Sequence, residues 1–407
     1  MTESDVSRRR FLAGAGALVG AAALGGIAGA GASEAIASAR DGSAGAAGAK
    51  TFGSIEPFYG IHQSGIQTAV QAHGAFASFT LVEGFDREAA IRLMRVVTDM
   101  SAKLTAGVAP MSDNDPKLAD GPARLTITAG FGKRFFELTG TTSKIPAGFV
   151  DIPAYSIDRL EEEWSGGDFF LQFGSDDPLV LAHALRHLSR SIRTYASPKW
   201  VQRGFTHAIG IGRPVGTPRN LMGQVDGTAN PLSPEDYEDQ VWVSAGPAWL
   251  HGGTMVVLRR IEMELDTWDA LDTPAKELSV GRNLANGAPL TGSLESDEPD
   301  YEAVDQNGLP VIPTIAHIRR AHTGNPRHKF LRRPFNYDEG TNAKGHNEAG
   351  LLFAVYTTDI AERYIPVQNA LAEVDLLNQW TTPVGSAVFV VPPGCAEGGY
   401  IGETLLS

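Results

Sequence analysis

The chain has 407 residues, with 47 acidic against 34 basic side chains and a net charge of −13. A surface of that sign repels phosphate backbones and gives no reason to expect nucleic acid as a partner. Its single cysteine, Cys395, excludes an intrachain disulfide and a paired-cysteine metal site, so core packing must supply the stability.

The first segment to read is Ser7-Arg8-Arg9-Arg10-Phe11-Leu12, followed by an Ala/Gly-rich apolar stretch to about Ala30 and a small-residue cleavage site at Ala37-Ser38-Ala39. Together they predict a twin-arginine (Tat) export signal over 1–39. The stretch is too rich in Gly and Ala to make a good membrane span. The expected partner is the Tat export machinery, which carries folded proteins, and the expected location is periplasmic, extracellular or in the cell envelope. Removing 39 residues from 407 leaves 368, enough for one large or two medium domains. The charge survives the removal, because Arg8, Arg9 and Arg10 are balanced by Glu3, Asp5 and Glu34. Residues 40–53 are Gly/Ala/Ser-rich and read as a flexible leader.

Beyond the leader, strand and helix patterns alternate. His73 to Val82 reads as a strand, and Asp86 then caps a helix with Ala90, Leu93, Met94, Val97, Met100 and Leu104 on one face. Arg124 to Thr128 alternates as a strand should, and a short helix ends near Leu138. Phe169 to Phe173 is a further strand, and Asp177-Pro178 opens a helix with Leu181, Leu185, Leu188 and Ile192 on one face. His183 and His187 share a face of that helix, but no zinc-protease glutamate lies between them, so they are expected to be solvated. The stretch from Ala208 to Arg213 lacks the third glycine of a dinucleotide fingerprint and reads as a loop. Gly253 to Arg260 predicts a strand, and Glu262 onward a helix holding Trp268. Leu351 to Tyr356 predicts a strand followed by Asp359 and a helix with Ile365, Val367 and Leu371, much as Phe169 to Phe173 is followed by Asp176 and Asp177. That correspondence suggests an internal duplication. Gly385 to Val391 closes the pattern, ended by Pro392-Pro393-Gly394. Such strand-helix units suit an α+β, ferredoxin-like arrangement.

Two segments carry chemistry. The first is Gly223-Gln224-Val225-Asp226-Gly227-Thr228-Ala229-Asn230-Pro231, and the second holds His317-Ile318-Arg319 and, further on, Leu331-Arg332-Arg333. They bring an acid beside a glycine that lets backbone approach a ligand, a metal-binding imidazole and fixed cations. With Phe58-Tyr59-Gly60-Ile61-His62-Gln63, Gly281-Arg282-Asn283, Gly287-Ala288-Pro289-Leu290 and Tyr356-Thr357-Thr358-Asp359-Ile360, they make the chain resemble the dye-decolourising peroxidases. The resemblance spans nearly the whole chain after the leader. It looks closest to the exported, iron-uptake-associated (deferrochelatase/peroxidase) branch.

The resemblance implies two ferredoxin-like halves, over 54–232 and 233–407, with antiparallel sheets, peripheral helices and the haem pocket mainly in the second. It implies one haem b per chain, with His317 as the iron ligand and His322 and His328 as its nearby rivals. Asp226 is the implied acid/base, and Arg332 the implied cation, with Arg333 its close rival because Pro334 stands where many relatives have glycine. Gly227, Thr228, Arg332 and Asp359 are the implied cofactor-binding residues beside His317. Asp359 is expected to accept from the ligand histidine's other nitrogen, to cap a helix, or to do both. The implied partners are hydrogen peroxide, dyes, phenolic or other bulky electron donors and iron-uptake proteins, and a homo-oligomer stays open. The alternatives are a deferrochelatase that frees iron from intact porphyrin, and a non-enzymatic haem-binding protein.

Overall fold

A computed structural model describes residues 53–207, 217–341, 345 and 347–407. The export signal, nearly all of the leader and the stretch from Ala208 to Arg213 lie outside them. The elements run β1 (His73–Leu81), α1 (Arg87–Thr105), β2 (Thr126–Phe131), α2 (Lys133–Leu138), β3 (Phe169–Ser175), α3 (Pro178–Ser191) and β4 (Ala196–Phe205). They continue with α4 (Pro234–Gln240), β5 (Thr254–Met263), α5 (Leu265–Asp269), α6 (Thr273–Val280), α7 (His317–Ala321), β6 (Leu331–Arg332), β7 (Phe335–Thr341) and β8 (Asn347–Thr357). A π-helical turn, Ile360–Tyr364, leads into α8 (Ile365–Val374), then β9 (Thr381–Val391) and α9 (Glu403–Leu406).

Local chemistry explains the long helices. Asp86 caps α1 by accepting from Ala89 N at 2.8 Å, and Asp177 caps α3 by accepting from Leu179 N at 2.7 Å, with Pro178 pre-set in the first turn. Two boundaries differ from the sequence reading. Ala123 and Arg124 have positive φ (44° and 57°), and Arg124 spends its side chain on Glu56, Asp176 and the Ala69 carbonyl, so β2 begins only at Thr126. β5 runs on through Glu262 to Met263, and Trp268 sits on the separate short helix α5.

All paired strands are antiparallel. The first half orders its strands β2-β3-β1-β4 and the second β7-β8-β5-β9, so each half has the same ferredoxin-like arrangement. β3 and β8 occupy equivalent places, as the Phe169 and Leu351 runs suggested. The halves join through Phe131↔Val390 and Phe205↔Asn336, which closes the sheet into a ring.

Strand alternation then divides the core in two. Phe76, Phe170, Val256, Leu258, Leu352, Ala354, Tyr356 and Phe389 fill one side. Ala75, Ala77, Phe79, Phe169, Leu171, Met255, Val257 and Val390 pack on the other, with Leu93 and Val97 of α1 and Leu181, Leu185 and Leu188 of α3. One close approach makes a test of this packing. A Cβ on Gly350 would lie 2.0 Å from the Ile261 carbonyl oxygen and 2.6 Å from Tyr337 Oη. Gly350→Ala is therefore expected to destabilise the fold by about 1 to 3 kcal/mol, read as a lower thermal midpoint. An unchanged midpoint would show that β5 and β8 part freely there.

His183 and His187 are not solvated. Both are buried, and His183 Nε2 pairs with Asp113 Oδ2 at 2.8 Å while Ser112 Oγ lies 3.4 Å from His187 Nε2. The segment after α1 folds over this face of α3, a tertiary event that helical spacing alone does not encode. Burial pushes the pKa of His187 down.

Candidate active site

The acid-bearing loop is a hairpin built by its own sequence. Arg219 and Val225 bridge, Asn220 Oδ1 accepts from Met222 N and Gln224 N, and Gly223 takes a positive φ of 81° at the turn. The loop leaves this hairpin at Asp226, whose N–H donates to the Pro218 carbonyl at 2.8 Å. Gly227 follows with φ 138°, a conformation that disfavours any residue with a Cβ. The glycine after the acid is thus a backbone requirement.

Arg332 meets this loop from β6. Its Nη1 is 3.4 Å from Asp226 Oδ1, and both side chains are largely covered. Asn230 locks the two segments together: its Oδ1 accepts from Arg332 N at 2.9 Å, and its Nδ2 donates to Arg332 O at 2.8 Å. Asp226, Gly227, Asn230 and Arg332 line one cavity of about 160 Å³, with Val70, Thr206 and Leu351 among its other walls. Thr228 is engaged elsewhere, donating its hydroxyl to Glu295 Oε1 at 2.9 Å. Arg333 points away on the alternate face. It is buried, donates to the Thr68 carbonyl and Gln71 Oε1, and burial pushes its pKa down to about 10. The structure therefore puts Arg332, not its neighbour, beside Asp226.

His317 opens α7. Its Nδ1 lies 2.6 Å from Asp375 Oδ2, and the other carboxylate oxygen of Asp375 accepts from Leu377 N at 3.0 Å. This corrects the expectation for Asp359. That residue caps the π-helical turn, accepting from Glu362 N at 2.8 Å, and lies so close to Gly148 that a Cβ there would come within 2.4 Å of its carboxylate. Of the two roles open to it, it takes the cap. Asp375 follows α8 directly and is almost fully buried, so its carboxylate reaches α7 from a segment 58 residues on in the chain.

The imidazole is 32% exposed by side-chain surface, which leaves its ring within reach of a ligand. Burial works to lower its pKa, but the charge and hydrogen bond of Asp375 outweigh that, and the net shift is upward. The charges of Arg332 and Asp226 also reach it. Among the described residues no partner meets Nε2. The rivals are differently placed: His328 is tied to Thr323 and Asn325, and His322 packs against the Tyr301 ring at 4.9 Å.

These residues fit a haem. In its neutral form, an imidazole whose Nδ1–H donates to a carboxylate presents an unprotonated Nε2, the form that binds iron, and an acid and a cation line a cavity in the same half of the chain. Asp375 was missed because no motif marked it. Asn230 was visible within the Thr-Ala-Asn-Pro run, but its clamp on Arg332 needed the fold.

The comparisons with known proteins agree with this geometry. The model of the Dyp-type peroxidase N-terminal domain matches residues 63–206, and that of the C-terminal domain matches 217–396. The chain belongs to the Dyp-type peroxidases and is a haem-dependent enzyme that uses hydrogen peroxide as oxidant. It is 37% identical over 336 residues to a dye-decolorizing peroxidase of Thermobifida fusca, covering 79% of this chain and 76% of that one. It is also 34% identical over 376 residues to a deferrochelatase of Escherichia coli, covering 86% and 87%. Among solved structures, a DyP-type peroxidase from Cellulomonas bogoriensis superposes with a TM-score of 0.85 at 46% identity, covering 88% of this chain and 99% of that one. Ferric DtpA from Streptomyces lividans superposes at 0.84 with 40% identity, covering 88% and 98%.

Proposed function

We propose that the chain is an exported peroxidase in which hydrogen peroxide is cleaved between Asp226 and Arg332, with His317 holding the haem iron through Nε2. Bound haem supplies the redox chemistry that breaks the O–O bond and accepts electrons from a reductant. Asp226 would take a proton from one peroxide oxygen and return it to the other, which leaves as water, the electrons for O–O cleavage coming from the bound haem. Arg332, permanently charged, stabilises the oxygen that becomes anionic during that transfer. Asp375 holds the proton on Nδ1 of His317 and so keeps the Nε2 lone pair directed outward. Gly227 lines the cavity and leaves room beside Asp226. The observation that carries this reading is geometric: Asp226 and Arg332 stand 3.4 Å apart on the wall of one cavity, and His317 has Nδ1 held by Asp375 and, among the described residues, no partner on Nε2.

Bulky donors such as dyes or phenols are the proposed reductants, in line with the printed name of the Thermobifida relative. The twin-arginine pattern at the N-terminus supports export to the periplasm, cell envelope or exterior.

The names of the deferrochelatase relatives support a second reading, in which the same site frees iron and leaves porphyrin whole. Absorption spectra of the loaded protein, before and after stoichiometric peroxide and reductant, test the first reading. Arg332→Leu is expected to keep its haem while the peroxide-driven spectral change slows by about 10² to 10³. Equal rates in Arg332→Leu and wild type would remove Arg332 from the mechanism. Extraction of pigment after turnover separates the two readings: iron-free porphyrin supports deferrochelation, and haem that retains its iron supports peroxidase action alone.

A further inference from the structure

We propose that Glu295 is a positioning residue for Asp226, closing the acid-bearing loop by holding both of its ends on one carboxylate oxygen. The inference rests on the reading of Asp226 as the proton-transfer group. Asp226 cannot fix its own carboxylate, because the one described polar contact there, to Arg332 Nη1, is 3.4 Å long. Its location is therefore set by the main chain that carries it.

Besides the bond from the Asp226 N–H to the Pro218 carbonyl and the Asn230 clamp on Arg332, the loop is tied at two points eleven residues apart, Thr217 and Thr228, to one side chain. Thr217 Oγ1 donates to Glu295 Oε1 at 2.5 Å, and Thr228 Oγ1 donates to the same oxygen at 2.9 Å. The side chains of Thr217 and Thr228 have no other hydrogen-bond partner among the described residues. A carboxylate oxygen has two lone pairs, so one atom can satisfy both hydroxyls, and such charge-assisted bonds are stronger than neutral ones.

Glu295 is itself braced. Arg282 Nη1 donates to its carbonyl oxygen at 2.9 Å and to the Gly287 carbonyl at 2.6 Å. Gly287 takes a φ of +75° and brings the brace so close that a Cβ there would lie 3.0 Å from Val225 and 3.3 Å from Glu295 Cγ. Arg219 adds bonds to Leu284 and Ala285 from the hairpin side. The segment from Arg282 to Glu295 is thus a rigid support, and Glu295 is the side chain that grips the loop by its ends. Misplacing a reacting group by about 1 Å can cost about a hundredfold in rate.

The test uses the full, haem-loaded chain and four variants: Glu295→Ala, Glu295→Gln, the pair Thr217→Val with Thr228→Val, and Asp226→Asn. In Glu295→Ala, the second-order reaction with peroxide is expected to slow about a hundredfold, while haem content and KM for the reductant stay at wild-type values. Glu295→Gln keeps a carbonyl acceptor and should recover most of the rate. The double valine variant should match Glu295→Ala, and combining the three changes should cost nothing more. A crystal structure of Glu295→Ala should show Asp226 displaced from Arg332. Wild-type rates in both Glu295→Ala and the double valine variant would overturn the inference, and so would a rate in Glu295→Gln as low as in Glu295→Ala. If Glu295→Ala loses its haem, the double valine variant decides, since it keeps the carboxylate. Asp226→Asn reports separately: a wild-type rate there sinks the reading of Asp226, whereas a slow Asp226→Asn beside a fast Glu295→Ala sinks only the role of Glu295.

Discussion

His317→Ala is expected to purify without firmly bound haem, and added imidazole should restore an axially ligated absorption spectrum to the variant when haem is supplied. Nδ1 of His317 is taken by Asp375 Oδ2 at 2.6 Å, and Nε2 has no partner among the described residues. His328, by contrast, has both ring nitrogens within hydrogen-bond distance of Thr323 and Asn325. His322→Ala and His328→Ala should therefore keep their haem. Asp375→Ala should bind haem but more weakly, by about ten- to a hundredfold, because the imidazole loses the partner that sets its tautomer and direction. Asp359→Asn should leave haem affinity alone, since that carboxylate caps the turn at Ile360 and does not touch His317. Haem titration of the five variants settles the ligand. Retention by His317→Ala together with loss in either rival would transfer the role.

Asp375 shows where the sequence stops being informative. Asp359 and Asp375 are both acids beside helical segments in the second half, and only Asp359 falls in a recognisable segment. Choosing between them requires knowing that α7 lies against the end of α8, where Arg320 also donates to the Ala370 carbonyl. The buried His183 and His187 teach the same lesson. Helical spacing correctly put them off the leucine stripe, but the covering segment around Asp113 lies 70 residues earlier in the chain.

Legible features were those set by local chemistry. They include the caps at Asp86 and Asp177, the apolar runs at Phe169 and Leu351, and the glycine after Asp226. β4 escaped because its burial alternates irregularly, with Ser197, Pro198 and Lys199 all exposed. β7 escaped because only Phe335, Asn336 and Tyr337 are buried and the rest, from Asp338 on, is polar and exposed. The duplication was legible in part, since β3 and β8 share a pattern, but strand order became visible only through the pairing.

Asp226→Asn should slow the reaction with peroxide by about 10² to 10⁴, the range a positioned acid/base contributes. The substitution is nearly isosteric, and the carboxamide oxygen can still face Arg332, so haem content and the fold should be unaffected. What is lost is a group that can accept a proton and hand it back. The reductant should enter as before, so its KM should hold while the peroxide step becomes limiting. The measurement is the second-order rate of the peroxide-driven change in the Soret band, taken before reductant is added.

The double variant with Arg332→Leu sharpens the assignment. Asp226 and Arg332 stand 3.4 Å apart and, in the proposed mechanism, act on the same peroxide, so their losses should not add: once the proton cannot move, the charge that Arg332 would stabilise does not develop. Fully additive losses would mean that the two act at separate steps. A loss under about threefold in Asp226→Asn, beside a large one in Arg332→Leu, would mean that another group or a water chain moves the proton, and that the aspartate of the hairpin serves mainly to orient the arginine.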